Sequence, residues 1–232
     1  MPKYVGLIPA RAGSKGIPHK NSQTIGGLNL VELAIEAAFG AGISDVNLSS
    51  DSIEILRSTE ANYSMLNRVL RARSAATDSA TASDVVFDFL SCRTDLMPED
   101  FLVYLQPTSP FRRSKHIVGA LETAQTHNYL RNVVSVVEAS PHPSKAVRIV
   151  GSQIEIEPGS SPTANRQTLP SMYFPNGAIY IFSIGDFLQR QDVPVHGSAP
   201  YLMDKYSSID IDSPTDLQLA RLLWDNEQFR RN

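Results

Sequence analysis

The sequence predicts an α/β protein, a three-layer α/β/α arrangement built on a mostly parallel sheet. Three observations predict it. Strand-like and helix-like segments alternate through the first 138 residues. The first of them, residues 4–9 (YVGLIP), is a short apolar run of the kind that is covered on both faces in a parallel sheet. Polar, glycine- or proline-bearing loops then follow the strands, where open parallel sheets bind their ligands.

Each element has its own warrant. Residues 30–39 carry apolar side chains at helical spacing, closed by Gly40 and Gly42. Residues 46–49 form a second strand ending at Ser50-Asp51, followed by a short helix over 53–60 and a weaker third strand over 65–70. A helix over 81–92, a strand over 101–105, a helix over 115–126 and a strand over 132–137 complete the alternation. Six prolines between 141 and 175 then break the pattern, and residues 145–149 with 152–156 predict a hairpin turning at Gly151. Strands over 178–182 and 207–211 resume the sheet. In the final helix Ser213 caps, Pro214 suits the first turn, and Asp216 stands where a capping-box acid belongs. The expectation is one domain over 1–232 with an excursion at about 139–176.

Composition narrows the function. A net charge of −3 gives no reason to expect a nucleic-acid or membrane-surface partner, so any attraction for anions must be local. No apolar run approaches the roughly 18–20 residues that span a bilayer. The start of the chain lacks the features of a signal peptide, and the single cysteine, Cys92, cannot pair internally. These point to a cytoplasmic protein with a passive, partly buried thiol. The five histidines show no zinc spacing, and no Gly-x-Ser-x-Gly elbow occurs.

Polar residues gather at three places. The loop over 10–21 holds Arg11, Lys15 and Lys20, and no acidic residue precedes Glu32. Gly13 and Gly16 let its backbone approach a ligand, and its N–H groups can form an anion-binding nest. It matches neither a Walker A loop nor a dinucleotide fingerprint, which leaves a phosphate site of another class. The second gathering, residues 106–113, carries two prolines that stiffen the loop holding Gln106. The third is residues 208–212, where alternation on a strand would place Asp210 and Asp212 on one face and Ile209 and Ile211 in the core. Two adjacent carboxylates repel unless a cation lies between them, and magnesium is commonly held by one or two carboxylates with substrate phosphates. Asp212 also immediately precedes a helix cap, so a local structural role stays open.

Four segments in this order resemble the acylneuraminate cytidylyltransferase family: 8–21 (IPARAGSKGIPHKN), 105–112 (LQPTSPFR), 175–181 (PNGAIYI) and 208–212 (SIDID). The resemblance implies a nucleotide-diphosphosugar-transferase (Rossmann-like) fold and a homodimer, with the excursion serving in dimerisation. It implies CMP transfer from CTP to the anomeric hydroxyl of a nine-carbon acidic sugar, releasing pyrophosphate. On it Arg11, Gly13, Ser14, Lys15, Lys20, Asn21, Arg71 and Thr81 meet the nucleotide, with Arg11, Lys20 and Asp212 catalytic. Asp210 and Asp212 hold Mg²⁺ or Mn²⁺. Gln106, Lys145, Arg166, Asn176 and Tyr180 serve the sugar, with Lys145 and Arg166 reaching across from the partner chain toward its carboxylate. No side chain is an obvious general base; Asp212 and a water on the metal both stay open.

Three departures touch the sugar side. Phe174 stands where many relatives have arginine, Ala82 where a hydroxyl residue is common, and residues 160–165 lack an acid that some relatives carry. Legionaminic, pseudaminic or 3-deoxy-octulosonic acid therefore stand as alternative substrates. A catalytically silent homologue would be expected to lack Lys20, Asp210 or Asp212, and all three are present.

Overall fold

The computed structural model describes residues 2–14, 16–126 and 132–226. In chain order the elements are β1 (Tyr4–Pro9), a small hairpin of β2 (Thr24–Ile25) and β3 (Leu28–Asn29), α1 (Leu30–Gly40), β4 (Asp45–Ser50), α2 (Ile53–Ser58), β5 (Asn67–Leu70), α3 (Ala82–Ser91), β6 (Phe101–Tyr104), α4 (Ser114–Thr126) and β7 (Val133–Glu138). A second hairpin, β8 (Arg148–Val150) with β9 (Gln153–Glu155), follows, then β10 (Tyr173–Ser183), α5 (Ile184–Arg190), β11 (Ala199–Leu202) and α6 (Pro214–Asp225). Seven strands form the main sheet in the order β11-β7-β10-β6-β1-β4-β5.

Alternation along the strands builds two cores. Val5 and Leu7 of β1, with Leu102 and Tyr104 of β6, face Val86 and Phe89 of α3 and Phe187 of α5. Ile8, Val103 and Leu105 point the other way, against Ala34 and Ile35 of α1 and Ile117 of α4. The three-layer expectation holds. From β1 the chain runs outward through β4 and β5, then crosses back to place β6 on the other side of β1. This reversal opens a crevice at the carboxyl ends of β1 and β6, the usual ligand position in such sheets. A third, smaller cluster lies beside it: Ile17, Phe111, Ile211 and Leu217, with Trp224 packed against Phe111.

The structure corrects the sequence reading at several points. Residues 207–211 are not a strand. The place beside β7 is taken by β11, which pairs in parallel with it, and the chain then turns where the Asp204 carboxylate accepts the Tyr206 and Ser207 amides. Residues 209–212 form no regular element and are bonded to the 106–112 loop by Ile211 N–H donating to the Thr108 carbonyl (2.9 Å). β11 contains Pro200, which suits an edge strand and hides it from a pattern search. β10 begins earlier than expected, at Tyr173, and runs antiparallel to both β6 and β7. Its register shifts between Pro175 and Tyr180, around Gly177 at φ 76°. Cys92 is exposed at the C-cap of α3, not partly buried. The predicted hairpin stands, with Gly151 at φ 59° in its turn. No described helix is long and apolar enough to cross a membrane.

Candidate active site

The loop after β1 is pinned along its length. The Asp51 carboxylate accepts the Ala12 N–H at 2.9 Å. Buried Asn21 donates from its side-chain amide to the Arg11 carbonyl at 2.8 Å. Arg11 reaches across the crevice mouth to the Thr77 carbonyl and the Asp78 carboxylate, both at 3.1 Å. Lys20 sits in a short 3-10 turn and donates to the Ile211 carbonyl (3.0 Å) and to Asp212 Oδ1 (3.2 Å). Gly16 packs so closely on this segment that a Cβ there would strike the Asp212 carbonyl. Gly13, in contrast, has open space around it.

Behind the loop lies a cavity of about 240 Å³ lined by Arg11, Lys20, Arg71, Thr81, Tyr104 and Gln106, among others. Arg71 is almost wholly buried and donates to Ser49 Oγ (3.0 Å) and the Ser49 carbonyl (2.7 Å). Burial pulls its pKa down, partly countered by Tyr104, Asp51 and Asp88 nearby. Thr81 caps α3 in a capping box with Asp84, which aims the helix's partial positive end into the cavity. Ala82 lines the same wall, whereas Ser83 is turned away and bonded to Asp192.

On the other flank, the Gln106 side chain lies over Gly177, where a Cβ would come 2.6 Å from its Oε1. Tyr180 packs edge-on to Tyr104, with ring centroids 6.3 Å apart. Burial and the nearby Asp210 carboxylate raise the Tyr180 pKa.

The two aspartates differ sharply. Asp212 is open to solvent, with 76% of its side chain accessible. Asp210 is largely buried, and its Oδ1 has no hydrogen-bond partner. Burial raises the Asp210 pKa and the Asp212 charge adds to this, against the opposing pull of the Thr108 hydroxyl and Lys20. A carboxylate oxygen buried without a partner is a costly arrangement, and a bound cation relieves it.

Some expected site residues take other places. The Asn176 side chain accepts from Ser135 Oγ (2.6 Å) and the Ala178 amide, and donates to Ser208 Oγ (2.8 Å). It ties β7, β10 and the 204–208 turn together and is spent on the protein. Gly13 and Ser14 do not line the cavity, and Lys145 lies on the excursion, in the 3-10 turn Pro143–Lys145. Lys15 and the Arg166 side chain lie outside the described residues; the Arg166 backbone opens another 3-10 turn. Sequence reasoning missed Tyr104, Thr108 and Asp78. Tyr104 carries the clearest signal, a hydroxyl at the carboxyl end of an otherwise apolar strand.

Residues 5–229 match the cytidylyltransferase family. The chain belongs to that family. Over 220 residues it is 36% identical to an N-acylneuraminate cytidylyltransferase of Streptococcus agalactiae serotype V, covering 92% of this chain and 51% of that protein. The chain thus spans about half the length of this relative. It is 30% identical to the CMP-N,N'-diacetyllegionaminic acid synthase of Legionella pneumophila, covering 97% of this chain and 98% of that one. Among solved structures it resembles a CMP:2-keto-3-deoxy-manno-octonic acid synthetase complexed with CTP, with a TM-score of 0.70, 16% identity and coverage of 97% and 99%. That likeness carries the fold.

Asp210 has a pH consequence. With its pKa raised in the folded chain, the folded state holds the Asp210 proton more tightly than the unfolded state. Ionisation therefore costs stability, progressively as pH climbs from about 4 through the raised value. Asp210→Asn is expected to melt at a higher temperature than the parent at pH 7 without ligand, the gap closing toward acid pH. A lower melting temperature at pH 7 would contradict the burial argument.

Proposed function

We propose that the chain transfers CMP from CTP to the anomeric hydroxyl of a nonulosonic, sialic-type acid, releasing pyrophosphate. The observation that carries the reading is the Lys20 contact with the Ile211 carbonyl and Asp212, which joins the basic loop to the paired carboxylates at the cavity mouth. Arg11 and Lys20, with Lys15 in the same loop, supply positive charge for a triphosphate. Arg71 and the Thr81 helix start form the nucleotide wall, and Gln106 and Tyr180 flank the sugar side. The sugar hydroxyl attacks the α-phosphorus and the pyrophosphate oxygen leaves, so these residues act by positioning and by charge.

Asp210 and Asp212 fit a hard divalent cation, Mg²⁺ or Mn²⁺, because one buried carboxylate oxygen is unpartnered beside a second carboxylate. No cluster of three or more His, Cys, Asp or Glu suited to a metal occurs among the described residues. Two carboxylates leave positions for phosphate oxygens and water. Such an ion, when bound, neutralises charge on the phosphoryl oxygens. Lys20 draws the Asp212 carboxylate toward the loop, and Thr108 steadies Asp210.

The excursion supports a homodimer. Ile149 and Ile154 face each other across the β8–β9 hairpin and are 76% and 68% exposed, with Met172, Tyr173 and Phe174 also open to solvent. A second copy of the chain would cover them and bring Lys145 and Arg166 toward its neighbour's sugar side. A second substrate reading, a legionaminic-type acid, is favoured by the full-length match to the Legionella synthase.

Two measurements test this. Incubation with CTP, Mg²⁺ and a panel of nonulosonic acids is expected to release pyrophosphate with at least one acid. Asp212→Asn should lower kcat by roughly 10²–10³-fold with an unchanged urea midpoint. An inert parent, or a fully active variant, overturns the reading or the metal assignment respectively. In light scattering the parent is expected as a dimer and the double variant Ile149→Glu/Ile154→Glu as a monomer. A dimer that persists in the double variant removes the hairpin from the interface.

A further inference from the structure

Arg112 is 3% exposed. Its Nη1 donates to two backbone carbonyls, Gln106 at 2.8 Å and Ala178 at 2.9 Å. Its Nε is buried without a hydrogen-bond partner, as is Ser109 Oγ in the same loop. Burial pulls the guanidinium pKa down to about 9, and no carboxylate among the described residues offsets it. A cation buried without a carboxylate is costly, and here the hydrogen bonds to the two carbonyls are what offset that cost.

The two carbonyls identify what is held. β6 and β10 pair antiparallel through Tyr104↔Tyr180, and continuing that register sets Gln106 opposite Ala178. The β6–β10 ladder ends at Tyr104↔Tyr180, where β6 itself ends, and on its other edge β10 shifts register against β7 between Pro175 and Tyr180. Arg112 bridges the two strands where their own pairing ends. At the same point the Gln106 side chain crosses Gly177, and two residues further along the loop Thr108 accepts the Ile211 N–H.

We infer that Arg112 is the positioning residue for the sugar side of the site: by clamping the Gln106 and Ala178 carbonyls it holds the Gln106 amide over Gly177 and steadies the loop that carries the Asp210–Asp212 segment. This rests on the reading of Gln106 as a sugar-side residue. The nucleotide wall is anchored elsewhere, on Ser49 through Arg71 and on α3 through Thr81. Loss of the clamp therefore affects acid and CTP unequally.

The test compares Arg112→Met, Arg112→Lys and Gly177→Ala in the full chain, with two readouts. In NMR spectra the Gln106 side-chain amide pair, assigned by its loss in Gln106→Leu, is expected to move in the methionine and alanine variants and to return toward its parental position in the lysine variant. In kinetics the KM for the acid should rise roughly tenfold in the methionine and alanine variants, with the KM for CTP within about twofold of the parent. Where the methionine variant does not fold, Arg112→Gln takes its place, keeping a donor without the charge. A Gln106 amide unmoved without the arginine, or KM values for acid and CTP that rise together, overturns the inference. A parent that makes no pyrophosphate overturns the proposed reaction instead, and the amide readout still decides whether Arg112 holds Gln106.

Discussion

Ile211 has no exposed surface, and the geometry of the site depends on that burial. Residues 209–212 lack a ladder partner, so the placement of Ile211 among Ile17, Phe111 and Leu217 is what fixes their path. Its neighbours on either side differ in exposure, Asp210 with a buried carboxylate oxygen and Asp212 open to solvent. The carbonyl of Ile211 meets Lys20, and the carbonyl of Asp212 closes over Gly16. One apolar side chain thus sets the position of two carboxylates and of the first loop's lysine.

Charge in the site is arranged for something not of the protein. Asp210 keeps a buried oxygen without a donor, while Arg71 and Arg112 are buried cations bonded to neutral groups. Arg11 and Lys20 hold acidic partners at the surface, where such pairs are weak and readily exchanged for a polyanion. Opposite charges therefore stand near one another without cancelling. Such an arrangement fits the triphosphate of the proposed reaction, since preorganised dipoles and charges need little rearrangement when a ligand arrives.

Much of this was legible from residue order. The apolar runs of β1 and β6, the helix cap at Ser213 and the Gly151 turn all follow local rules that tertiary context left intact. The basic loop and the aspartate pair were legible as chemistry. Their geometry was not. Alternation implied a strand at 207–211, but a strand needs an unfilled neighbour, and β11 had filled it despite Pro200. The resemblance of residues 175–181 assigns Asn176 to the sugar side, and only the fold brings Ser135 and Ser208 to its amide. Arg112 was visible only as part of a motif, because its burial depends on the fold bringing the Gln106 and Ala178 carbonyls together beyond the end of the β6–β10 ladder.

The contact between Lys20 and Asp212 spans 192 positions of the chain. Such long-range closures come late in folding, because the loop entropy must be overcome before the contact forms. During synthesis the basic loop leaves the ribosome well before its carboxylate partner. In that interval the loop can meet Asp51, Thr77 and Asp78, but Lys20 still lacks Ile211 and Asp212. On the proposed function, closure of the site therefore waits for residues 209–212 and α6 to dock, so that a chain truncated before them would carry the basic loop without its carboxylate partner.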